Sequence, residues 1–230
     1  FSEIRAVHYE SQNEIMILNN VLGQAQTIYS AVKAGAWAAT KNEHGTLVSL
    51  GIAALHGYTK YKEVLGETWD KAFREAIKTG TYLAHVLAES EYYRNKTITL
   101  AGYSLGTLGV GCCLWELERM KRFDLIYEVF LMGGAANTRD FMSSNLKIIA
   151  HNLTNCYSLK DKVLTYILKA ADITSDPIGL SDITTTAKNV RNYNVTDLVD
   201  GHSDFRPKLK CLLEKVDFNE DLMYLLNDRS

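Results

Sequence analysis

Thr97-Ile98-Thr99-Leu100-Ala101-Gly102-Tyr103-Ser104-Leu105-Gly106-Thr107 opens as an apolar, β-branched run and closes in Gly-x-Ser-x-Gly. β-Branched residues favour a pleated, half-buried backbone. A helix-like segment, Leu108 to Met120, follows at once. The stretch therefore predicts a strand, a tight turn carrying a serine, and a helix. In so sharp a turn the residues flanking the serine sit against neighbouring backbone, and glycine has no Cβ to clash there. Tyr103 and Leu105, on either side of the serine, are expected to pack. The backbone N–H of Leu105, at the mouth of the helix, is placed to hold a developing negative oxygen. A five-residue pattern also arises by chance, so its meaning depends on what the rest of the chain supplies.

Upstream of this stretch, Thr68 to Ser90 reads as an amphipathic helix with Trp69, Ala72, Phe73, Ala76, Ile77, Leu83 and Leu87 on its apolar face; Gly80 interrupts it at some cost. Downstream, Leu125 to Met132 is a second apolar strand ending in Gly133-Gly134-Ala135-Ala136-Asn137, small residues that leave room beside the serine turn. Asn152 to Ser158 is a third strand. It runs into Leu159-Lys160-Asp161-Lys162-Val163-Leu164 and a helix to about Ala171. Ser175 to Thr186 has turn chemistry, with Asp176-Pro177 and Gly179. Lys188 to Val195 is a fourth strand, followed by Asp200-Gly201-His202-Ser203-Asp204 and a last helix, Arg206 to Val216, with Pro207 in its first turn. Strands alternating with helices at this spacing predict an α/β fold: a mostly parallel sheet with helices on both faces. The carboxyl ends of such strands face the ligand crevice.

The amino-terminal part differs in texture. Ile4 to Glu10 reads as a short strand, and Glu14 to Ala39 as a helix that becomes rich in small residues. A polar break, Lys41 to Gly45, separates it from the apolar run Thr46 to Leu55. These segments predict a helical hairpin inserted at about 12–57 of a single domain spanning 1–230. Each apolar run is shorter than the roughly 20 residues a membrane-spanning helix needs. The hairpin either packs over the sheet or serves as a lid or interfacial element, with residues 31–57 offered to a membrane surface or a protein assembly.

Bulk properties narrow the function classes. The chain has 230 residues, 47% hydrophobic and 23% charged, with a formal net charge of −2. That suits one domain of ordinary size and gives no reason to propose nucleic acid as a partner. Cys112, Cys113, Cys156 and Cys211 form no Cys-x-x-Cys pair and no zinc spacing. They read as small core hydrophobes in a reducing, intracellular compartment. The chain begins Phe1-Ser2-Glu3, with no methionine and no signal peptide, so a segment upstream of it is expected.

A nucleophilic serine needs a base to take its proton and an acid to hold that base in the right tautomer. Ser104 follows the first strand of the run, Asp161 the third, and His202 the last. The order serine, acid, histidine and the placement at strand ends match the layout of an α/β-hydrolase, in which the Gly-x-Ser-x-Gly turn is the nucleophile elbow. Asp161 can equally be read as an N-cap for the helix starting at Lys162, and Asp140 is the rival acid. Asp200 and Asp204 are expected to make local turn contacts. No metal or organic cofactor is called for by this chemistry.

Gly102-Tyr103-Ser104-Leu105-Gly106, Asn155-Cys156-Tyr157-Ser158 with Asp161-Lys162-Val163-Leu164, and Asp197-Leu198-Val199-Asp200-Gly201-His202 with Phe205-Arg206 resemble the eukaryotic α/β-hydrolase family of transmembrane and coiled-coil domain-containing protein four. Ala6 to Ser11 resembles that family's strand ahead of its apolar hairpin. The resemblance covers most of the chain and implies a serine hydrolase fold, often membrane-associated, with a lipase-like or esterase-like site. It supports Ser104, Asp161 and His202. Thr107 departs from the small-then-basic pattern expected after the elbow, which bears on helix packing. In that family a strand bearing an oxyanion loop precedes the one resembling Ile4 to Glu10 and lies beside the nucleophile strand. Either an upstream segment completes the sheet, or the first strand takes its place and Ser11-Gln12-Asn13 must supply the second oxyanion donor. Losing one such donor costs about 10²–10³ in turnover. Two functions are therefore carried forward: a serine hydrolase acting on an acyl or lipid ester, and a catalytically silent scaffold or trafficking adaptor.

Overall fold

Strands form in the four segments where the sequence predicts them. In a computed structural model, which describes residues 71–141, 145–165 and 176–218, they are β1 (Ile98–Tyr103), β2 (Ile126–Met132), β3 (Leu153–Tyr157) and β4 (Val190–Asn194). The four pair in chain order, all parallel. The fold is α/β. Parallel neighbours need a crossover; between β1 and β2 it is helix α2 (Gly106–Arg119). All four strands thus end on one edge, where Tyr103 pairs with Met132, Met132 with Cys156, and Tyr157 with Asn194.

Alternation along β2 sorts its side chains between two cores, because successive residues of a strand point to opposite faces. Val129 and Leu131 join Leu100 and Leu153 with Ala84 and Leu87 of helix α1 (residues 71–89) and Leu108, Leu114 and Leu117 of α2. Phe130 and Met132 join Cys156 with Val199, Phe205, and Leu212 and Leu213 of helix α3 (Leu209–Lys215). Helices therefore cover both faces. Only Tyr127 of β2 is exposed, the near-continuous apolar reading expected of a strand covered on both sides.

Gly80, which looked like a cost inside a helix, has a packing reason. A Cβ there would lie 2.1 Å from the carbonyl oxygen of Gly109, so the backbones of α1 and α2 approach too closely for any side chain. Further along the same two helices, the buried Glu116 of α2 takes Arg119 at 2.6 Å and His85 of α1 at 3.0 Å. The hydrogen bond from Arg119, aided by His85, holds the Glu116 carboxyl down to about 2.

Of the cysteines, Cys113 and Cys156 are buried and Cys112 is half-buried, but Cys211 is exposed on α3, against the expectation of four core thiols. Burial pushes the Cys113 and Cys156 thiols up to about 12. Among the described residues no helix is long and apolar enough to cross a membrane. Packing divides the chain at Thr68/Trp69, and every described residue belongs to the second unit. The expected strand Ile4 to Glu10, the hairpin at about 12–57, the loop Ser11-Gln12-Asn13 and the end of the helix after Asp161 lie outside the described residues.

Candidate active site

Ser104 stands at the end of β1 with φ +55°, a left-handed conformation that costs a non-glycine residue about 1–3 kcal/mol. Its neighbours hold it there. The Ser104 N–H continues the ladder to the Met132 carbonyl at 3.1 Å. Its own carbonyl accepts three hydrogen bonds: from the N–H of Thr107 and of Ala135, each at 3.1 Å, and from the Thr107 hydroxyl at 2.6 Å. Thr107 Oγ1 in turn accepts the buried N–H of Ala136 at 3.3 Å. Thr107, whose departure from the expected pattern pointed to helix packing, is instead a fully buried clamp between the serine turn and the Gly133–Asn137 loop.

Of the two glycines flanking the serine, only one is needed for space. A Cβ on Gly102 would meet the Thr107 backbone at 3.0 Å, whereas one on Gly106 would meet nothing within 4 Å. The Leu105 N–H leads α2 and donates no hydrogen bond among the described residues, as the first N–H groups of a helix do when left to a ligand.

Asp161 is fully buried at the turn after β3, and its two carboxylate oxygens have different partners. Oδ1 accepts the Leu164 N–H at 3.0 Å, capping the helical turn that follows. Oδ2 lies 2.6 Å from His202 Nδ1. The rival, Asp140, serves elsewhere: its Oδ2 accepts the Asn137 N–H at 2.8 Å, while Asn137 Oδ1 accepts the N–H of Asp176. Ser158, at the end of β3, donates its hydroxyl to the Val199 carbonyl at 2.7 Å and so ties the Asp161 turn to the loop carrying His202.

His202 begins a short 3-10 turn, His202–Asp204, and is buried. Its Nε2 lies 2.8 Å from Ser104 Oγ. A carboxylate only accepts, so Nδ1 donates to Asp161 and leaves Nε2 to accept the serine O–H. Asp204 makes the expected local contact, accepting the Asp200 N–H at 3.0 Å. The Asp200 carboxylate does not stay local: it pairs with Lys160 at 2.6 Å, which holds it below the usual carboxylate range and adds a second tie between the two loops.

Ser104, Asp161 and His202 thus form one hydrogen-bonded series across strand ends 41 and 98 residues apart. An arrangement of this kind can draw a proton from a serine hydroxyl as its oxygen adds to a carbonyl carbon. Among the described residues no group of His, Cys, Asp and Glu is placed to hold a metal ion. The ties through Thr107 and Ser158 had no sequence signal beyond a hydroxyl residue next to a turn, a common setting for side-chain-to-backbone bonds.

The fold and site define an α/β protein with a Ser–His–Asp array on the carboxyl edge of a parallel sheet. Residues 2–219 match the family described as "Protein of unknown function (DUF726)", and the chain belongs to that family. It is 30% identical over 160 residues to the "Probable lipase MIL1" of Saccharomyces cerevisiae, covering 69% of this chain and 15% of that protein. It is 30% identical over 159 residues to the "Transmembrane and coiled-coil domain-containing protein STS1" of Oryza sativa subsp. japonica, covering 68% of this chain and 24% of that protein. An "Uncharacterized membrane protein" of Schizosaccharomyces pombe is 32% identical over 168 residues, covering 70% of this chain and 21% of its own length. The chain therefore spans a quarter or less of these relatives. No solved structure matches it significantly.

Proposed function

We propose that this chain carries the site of a serine hydrolase of α/β-hydrolase type acting on an acyl or lipid ester. The observation that carries the reading is the unbroken series Ser104 Oγ–His202–Asp161, with contacts of 2.8 and 2.6 Å. Ser104 Oγ adds to the ester carbonyl and its proton passes to His202 Nε2. Leu105 N–H stabilises the oxyanion. Nε2 then gives the proton to the departing alkoxide, leaving an acyl group on Ser104. Water adds to that ester by the same route in reverse, and Ser104 Oγ recovers its proton. Asp161 keeps the imidazole in the tautomer each step needs. A second oxyanion donor is expected from a segment ahead of β1, since β1 is the edge of the described sheet.

The lipid class of substrate is supported by the name of the yeast relative, and association with a membrane by the names of the relatives in fission yeast and rice. The resemblance to the family of transmembrane and coiled-coil domain-containing protein four points the same way. Residues 31–57 are the proposed docking element for a membrane surface or a protein assembly.

The rival, a catalytically silent scaffold or adaptor, would be favoured by a serine out of reach of its histidine, and the 2.8 Å contact speaks against it. A fluorophosphonate probe separates the two in the full-length protein. The hydrolase reading expects labelling of wild type and none of Ser104→Ala. A folded wild-type protein that takes no label and hydrolyses no p-nitrophenyl ester, in solution or on vesicles, sinks it.

A further inference from the structure

We infer that Tyr103, the residue before the serine, is a positioning residue for His202, needed most when the acyl group is on Ser104. The inference rests on the serine hydrolase reading. Tyr103 makes two separate contacts with the same histidine. Its hydroxyl donates to the His202 carbonyl at 2.8 Å, and its ring stacks on the imidazole with centroids 5.1 Å apart and planes 29° apart. Phe205 also packs against the Tyr103 ring, with centroids 6.3 Å apart and planes tilted 46°. Burial, and then the nearby charge of Asp161, push the Tyr103 hydroxyl far above its ordinary range, so it stays a neutral donor.

The geometry says what these contacts add. Hydrogen bonds at Nδ1 and Nε2 fix the imidazole within its own plane but leave it free to tilt about the line joining the two nitrogens. A ring laid against its face removes that tilt, and the bond to the backbone carbonyl stops the whole residue from sliding. While Ser104 is free, Nε2 has the serine hydroxyl as a partner. Once Ser104 Oγ is esterified that O–H no longer exists, and the ring is held by Asp161 at one corner and by Tyr103 across its face. In that state His202 must take a proton from water, whose oxygen adds to the acyl carbonyl before Ser104 Oγ leaves with the proton. Deacylation therefore depends on Tyr103 more than acylation does.

The test uses the full-length protein with p-nitrophenyl butyrate and compares Tyr103→Leu, which removes both contacts, with Tyr103→Phe, which keeps the ring. Misplacing a catalytic group by about an ångström costs on the order of 10²-fold. Tyr103→Leu is expected to lower kcat by about that factor and kcat/KM by about tenfold or less, so KM falls and a burst of p-nitrophenol appears. Loss of one hydrogen bond corresponds to roughly three- to tenfold, so Tyr103→Phe is expected to stay within about tenfold of wild-type kcat, well above Tyr103→Leu. Equal falls in kcat and kcat/KM, tracking a lower Tm, would mean a merely structural residue and overturn the inference. So would wild-type kinetics in the leucine variant. A readout without turnover keeps the inference apart from the hydrolase reading: the downfield proton NMR signal of His202 Nδ1–H on Asp161. The inference expects this signal in wild type and Tyr103→Phe and its broadening or loss in Tyr103→Leu. The same signal in all three overturns it, whether or not the protein hydrolyses an ester.

Discussion

Thr107→Val removes one hydroxyl and little else, and the structure allows its cost to be worked out. Two hydrogen bonds disappear. The bond from Oγ1 to the Ser104 carbonyl leaves an acceptor that still has the Thr107 and Ala135 N–H groups, so its loss costs about 0.5–1.5 kcal/mol. The bond from the Ala136 N–H leaves a buried donor beside a methyl group, which costs about 1–3 kcal/mol. Together the change is about 2–4 kcal/mol, or roughly 5–15 °C in Tm for a domain of this size. Thr107→Ser keeps both bonds and loses one methyl, about 1 kcal/mol. Function should move with stability, because the clamp holds Ser104 at φ +55°. If about 1.4 kcal/mol of that restraint is lost, fluorophosphonate labelling slows about tenfold in the valine variant. Thermal melts and second-order labelling rates of the full-length variants give both numbers. A valine variant that melts and labels like wild type, or a serine variant as damaged as the valine one, would refute the clamp.

Three further perturbations follow from the same contacts. Asp161→Asn should keep a helix cap through its amide oxygen yet turn its NH₂ toward His202 Nδ1, forcing the tautomer with the proton on Nε2 and lowering kcat by roughly 10⁴ with a small change in Tm; Asp161→Ala should lose about 1 kcal/mol more stability. Gly80→Ala should destabilise by about 1–3 kcal/mol in denaturant melts, although alanine favours helix by about 1 kcal/mol, because its methyl group meets the Gly109 carbonyl; a more stable variant would remove that contact. Glu116 has a folded-state pKa of about 2, below its ordinary 4.5, so its stabilising effect is full above about 4.5 and fades as pH falls toward 2. Its partner His85 is raised above 6.5 chiefly by its hydrogen bond to Glu89 and to a lesser extent by Glu116, so the histidine's smaller share in the Glu116 network is full below 6.5 and fades as pH rises through the raised value. The stability gap between wild type and Glu116→Gln should therefore be widest between about pH 4.5 and 6.5, and a gap that does not change from pH 2 to 8 would contradict the network.

Local pattern carried β1 and β2 because each is a short, largely apolar run, while the more polar β4 was legible mainly from its place in the alternation of strands and helices. It also carried Ser104, Asp161 and His202 as residues at strand ends, since chain order and strand ends can be counted along a sequence. What it could not carry was which atom of each residue does what. Asp161 reads as either cap or acid because a carboxylate just before a helix and after a strand suits both, and only the folded turn shows that one oxygen accepts the Leu164 N–H while the other lies against His202. Thr107 and Tyr103 read as packing because their partners, Ala136 and His202, come from other strand ends. Gly80 read as a flaw because its reason lies on a different helix. In each case the missing information was a contact distant in sequence, which periodicity and spacing do not encode.

These distant contacts also explain how the array is held. Ser104 is in a conformation it would leave if free, and the groups that keep it there come from α2 and from the loop after β2. Asp161 is buried, and its turn is tied to the histidine loop by Ser158 and by the Lys160–Asp200 pair. His202 is fixed by Tyr103 from β1 as well as by its two hydrogen-bond partners. No member of the array is positioned by its own element alone. Substitutions at Thr107, Ser158 or Tyr103 should therefore change reactivity at Ser104 without touching any of the three residues. An exposed substitution of equal size away from these ties, such as at Tyr82 on α1, should not.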